Sequence, residues 1–78
     1  MIRAYEEIVD FIAAGTSPTA VASFEASDAT KQRVADLIHR EKTAGLSLEE
    51  TAELNDYFQL EHLMRLAKAR AHQHLGHE

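Results

Sequence analysis

The chain has 78 residues, eight Lys+Arg against thirteen Asp+Glu, a formal charge of -5, 45% apolar and 27% charged residues. That length allows one domain at most, and the absence of cysteine removes disulfide frameworks, thiolate zinc sites and cysteine nucleophiles. No apolar run approaches the roughly 18 residues needed to span a bilayer, and an acidic chain is a poor general binder of nucleic acid.

The first ten residues, MIRAYEEIVD, turn acidic early and lack the apolar core of a signal peptide, so a cytoplasmic protein is expected. From about residue 2 to residue 14, Tyr5, Ile8, Val9 and Ile12 repeat at the spacing of one helical face, with Glu6, Glu7 and Asp10 opposite. Gly15 follows, the residue type that ends a helix in a left-handed conformation without steric cost.

Ser17 and Pro18 then read as an N-cap and first helical residue. A short helix over 18–24 is expected to place Val21 and Phe24 against the rest. Ser27 is a second N-cap, opening a helix over 28–43. Val34, Leu37 and Ile38 form its apolar side, while Lys31, Arg33, Asp36, Arg40 and Lys42 are expected to point outward. Asp36 and Arg40 stand four apart, within pairing distance on a helix.

Ala44-Gly45-Leu46-Ser47 is the strongest break. Gly45 closes one helix, and Ser47 with Glu50 three residues later forms a capping box for the next. That last helix is expected over 48–75, roughly 42 Å at ~1.5 Å per residue. No alternation of period two competes. The expected fold is all-α, with three to four helices in one small bundle and a long C-terminal helix.

The last helix carries a broad apolar circumference. Tyr57, Leu60, Met64, Ala67, Ala71 and Leu75 share one narrow arc with near-heptad spacing. Leu54 and Phe58 flank it on one side, Leu63 on the other, and Leu66 lies further round. The shorter first and third helices do not span its length, so the stretch from Leu63 to Leu75 is expected to project or to pack on another chain. Large exposed apolar patches mark interaction sites. The expected partner-binding set is therefore Tyr57, Leu60, Leu63, Met64, Leu66, Ala67 and Ala71, serving a homodimer or a foreign protein. Glu49, Glu50, Glu53 and Asp56 are expected to offer an acidic face to a basic partner.

No enzyme signature occurs: GxGxxG, GxxxxGK[ST], HExxH and GxSxG are all missing. The four serines read as caps or surface residues, and no catalytic or cofactor-binding residue is expected. His72, His74, His77 and Glu78 cluster at the end, and His74 and Glu78 stand four apart as two metal ligands on a helix would. They read as a solvated tail, so no metal site is expected. A DNA-binding regulator is the alternative, with Lys31, Arg33, Arg40 and Lys42 on the third helix as its cations. The acidic start of the fourth helix opposes phosphates.

Three stretches, DFIAAGTSP at 10–18, RVADLIHREKTAGLSLEETAEL at 33–54 and LEHLMRLAKARA at 60–71, together resemble a family of short, uncharacterised bacterial all-helical proteins. Genes of that family often lie beside genes for HNH-type endonucleases or toxin-like proteins. The resemblance implies an antitoxin-like or accessory role and assigns no catalytic residues.

Overall fold

A computed structural model describes residues 3–76 of the chain. Among them four helices follow in order: α1 (Glu6–Ala13), α2 (Pro18–Ser23), α3 (Asp28–Thr43) and α4 (Leu48–Gly76). The all-α architecture with a long last helix is as expected. No helix among the described residues is long and apolar enough to cross a membrane.

Local chemistry sets the boundaries. Ser17 Oγ accepts from the Ala20 N–H and Pro18 is the first helical residue of α2. Ser27 Oγ accepts from the Thr30 N–H to open α3. Before α4 the Ser47 hydroxyl accepts from the Glu50 N–H, while the Ser47 N–H donates to the Glu50 carboxylate, both at 3.1 Å. That is the reciprocal capping box. Gly15 and Gly45 both stand at φ +85°, where a Cβ is strained.

The start of α1 differs from expectation. Helix begins at Glu6 because the Arg3 carbonyl accepts from the Glu6 N–H in a preceding turn. The Ala4 N–H is drawn away to the Glu53 carboxylate, 49 residues on. Residue 2, where the first helix was expected to begin, lies outside the described residues.

The long axis belongs to α4, whose 29 residues extend ~43 Å within overall dimensions of 50 × 21 × 19 Å. Helix α3 returns past the start of α4, with Arg40 reaching Glu50 and Arg33 reaching Glu53. Short α2 packs along α4. The Phe24 ring closing α2 packs at a tilt against Phe11 of α1 with centroids 4.6 Å apart. Ala4, Ile8, Leu37, Leu54, Met64 and Ala71 form the buried apolar core. So thin a core, strung along one rod, makes each contact count heavily toward stability.

This arrangement corrects one expectation. The stretch from Leu63 to Leu75 was expected to find no cover within its own chain. Its seam is covered: Met64 and Ala71 are each only 5% exposed, with α2 packed along α4.

Candidate functional site

Two regions of α4 carry its chemistry: a charged knot near its start and a bare leucine face along its middle.

The knot centres on Glu53. Arg33 Nε donates to Glu53 Oε2 and Arg33 Nη2 to Oε1, each at 2.9 Å, and the Ala4 N–H also donates to Oε2 at 2.9 Å. Glu53 is 5% exposed, and no buried side-chain polar atom among the described residues lacks a partner. The Arg33 guanidinium holds the Glu53 carboxyl below its ordinary range; burial opposes this and the Ala4 N–H adds to it. Two expectations are corrected here. Arg33 does not point outward, since its side chain closes over the knot, and Glu53 is no part of an outer acidic face. Each looks like a surface charge on its own helix. The pairing across helices draws both inward.

A second set lies beside the loop joining α3 to α4. Arg40 bridges Asp36 at 3.0 Å, the expected i,i+4 pair, and Glu50 at 2.6 Å. The Ser47 N–H and then Arg40 hold the Glu50 carboxyl below its ordinary range. Arg33 and Arg40, two of the four cations considered for DNA, are thus committed to carboxylates of α4. Glu49 and Asp56 remain exposed.

The expected partner-binding set divides by angle around the helix. Tyr57, Leu60 and Ala67 are half-buried, and Met64 and Ala71 belong to the chain's own core. Leu63 and Leu66 stay 53% and 57% exposed. At ~100° per residue they stand about 100° and 160° round from Met64, on the side that faces water. Asp56, Gln59 and Arg70 share that face and are exposed as well. Phe58, also half-bare, lies on the opposite flank of the buried seam.

Beside the seam is a cleft of about 220 Å³ with Ile8, Phe24, Tyr57 and Met64 at its floor. Lys31, Arg65 and Lys68 line it together with Glu25 and Glu61. Burial and the nearby Glu61 push the Tyr57 hydroxyl up. Among the described residues no three His, Cys, Asp or Glu gather as a metal site; His77 and Glu78 lie outside them.

The chain matches no family model, no curated protein and no solved structure.

Proposed function

We propose that the chain is a small, non-catalytic protein-binding module. It associates through the outer face of α4, as an antitoxin-like or accessory partner of a nuclease would. One observation carries this reading: Leu63 and Leu66, three residues apart, stay more than half exposed while the opposite side of the same helix is buried. Fully burying a leucine is worth roughly 1.5–3 kcal/mol. A partner surface recovers what the chain's own fold leaves in water, in the manner of an amphipathic helix laid against a groove. The resemblance to bacterial helical proteins encoded beside endonuclease genes supports a cytoplasmic module of this type. The DNA-binding alternative is weakened by the pairing of Arg33 and Arg40 with Glu53 and Glu50.

The test compares wild type with Leu63→Glu and Leu66→Glu. Self-association is followed by sedimentation equilibrium and capture of a specific protein by tagged pull-down. Both variants are expected to keep their helical circular dichroism and to lose association. Association equal to wild type in both variants overturns the reading.

A further inference from the structure

The open face of α4 runs Asp56, Gln59, Leu63, Leu66, Arg70. Its steps of three, four, three and four are those of a seam between helices packed side by side. All five residues are exposed. An anion lies at one end, a cation at the other, and two leucines lie between. Such a stripe is complementary to itself when reversed.

We propose that the occupant of this face is a second copy of the same chain, docked α4 against α4 in antiparallel register. The two-fold axis passes between Leu63 and Leu66. This inference rests on the reading of α4 as an association helix and names its partner.

The register follows from position along the rod. With the axis midway between the leucines, Leu63 of one copy lies opposite Leu66 of the other. Gln59 lies opposite Arg70. Asp56 is one turn further, ~4.5 Å along the axis from that Arg70, within the span of an arginine side chain. The two-fold makes every contact twice. A parallel pairing sets Asp56 beside Asp56 and Arg70 beside Arg70, so charge selects the antiparallel form. Asp56 and Arg70 make no ion pair among the described residues, whereas Arg33, Arg40 and Arg65 each hold a carboxylate. The charges flanking the leucines are therefore available to a partner. One helical seam falls at the low end of specific interfaces, about 1,200 Å² or less. Each copy also carries a charge of -5, which repels its mate. A dimer with a micromolar dissociation constant is expected.

The experiment is sedimentation equilibrium on the full chain and on Asp56→Arg and Arg70→Asp, separately and mixed in equal amounts. Each variant alone places like charges together at both ends of the seam and is expected to dimerise about tenfold more weakly. In the mixture every like pair becomes an unlike pair: the introduced arginine meets the introduced aspartate, and the native Arg70 of one variant meets the native Asp56 of the other. The mixture is expected to recover wild-type affinity as a heterodimer. These positions are exposed, so thermal melts should stay within a few degrees of wild type. A wild-type dimer indifferent to both reversals, or a mixture that fails to recover, overturns the antiparallel register. A wild-type monomer at millimolar concentration overturns self-docking altogether. If Leu63→Glu and Leu66→Glu still abolish capture of a foreign protein, the broader reading survives that result; if they change nothing, both fall.

Discussion

Arg33 and Glu53, twenty residues apart on different helices, meet through two hydrogen bonds of 2.9 Å, one from Nε and one from Nη2. The planar guanidinium fork matches the carboxylate, the geometry that makes such pairs strong and directional. The same carboxylate accepts the Ala4 N–H. One side chain of α4 thereby fixes α3 and the approach to α1, and a thin core is braced where its three segments converge.

Removing that carboxylate leaves a part-buried cation and a buried N–H without their acceptor. Glu53→Ala is expected to cost ~3 kcal/mol, since breaking a buried pair strands its partner. This is a large share of the stability of a domain this small. Glu53→Gln keeps one acceptor oxygen for Ala4 and is expected to cost less. Urea unfolding followed at the helical circular dichroism band gives both values. A loss under about 0.5 kcal/mol for Glu53→Ala, the range of ordinary surface changes, is the result against which this account fails.

The knot also sets a pH dependence. The folded Glu53 carboxyl titrates below its ordinary value of 4.5, chiefly because of Arg33. On acidification the unfolded chain therefore binds its proton first. The stabilisation is fully present above about pH 5.5, and declines as pH falls through 4.5 toward the lower folded value. Urea midpoints measured from pH 7 to pH 3 should fall more steeply for wild type than for Glu53→Gln. A residual slope remains in the variant because Glu50 is also depressed. Parallel curves would show that Glu53 does not carry the effect.

Much of the fold is legible in the chain because its punctuation is local. Ser17 with Pro18, Ser27, and Ser47 with Glu50 each act within four residues, as do Gly15, Gly45 and the Asp36–Arg40 pair. The all-α class and the starts of α2, α3 and α4 follow from them. The Arg33–Glu53 contact was not legible, because the two residues lie on different helices and only the crossing of α3 and α4 joins them. One signal was present: Glu53 lies seven and eleven residues before Leu60 and Met64, on the arc of the seam. An acid at a core position asks for a cation. The exposure of Leu63 and Leu66 was legible from their angle. The burial of Met64 and Ala71 was not, since it depends on how the other segments pack against α4.

Neighbouring residues Leu63 and Met64 should behave oppositely. Met64→Ala empties a buried site and is expected to cost about 2–3 kcal/mol. Leu63→Ala removes a half-exposed side chain and is expected to change monomer stability by less than about 0.5 kcal/mol. Denaturation of dilute protein, below any dimer dissociation constant, isolates the monomer term. Equal losses for the two would mean that the outer face of α4 is sheltered by its own chain.

Helix α2, packed along α4, is too short to stand alone. Six residues make fewer than two turns, well under the ~12–15 an isolated helix needs in water. The order of α2 must come from tertiary contacts, and Phe24 against Phe11 is its aromatic anchor. Phe24→Ala removes that pair, worth about 0.5–1.5 kcal/mol beyond the area it buries. Amide exchange in residues 20–24 is expected to rise toward unprotected rates. Protection near Leu37 and Leu54, held by α3 and the Glu53 knot, should change little. Exchange rising uniformly along the chain would instead show that α2 and the knot unfold as one unit.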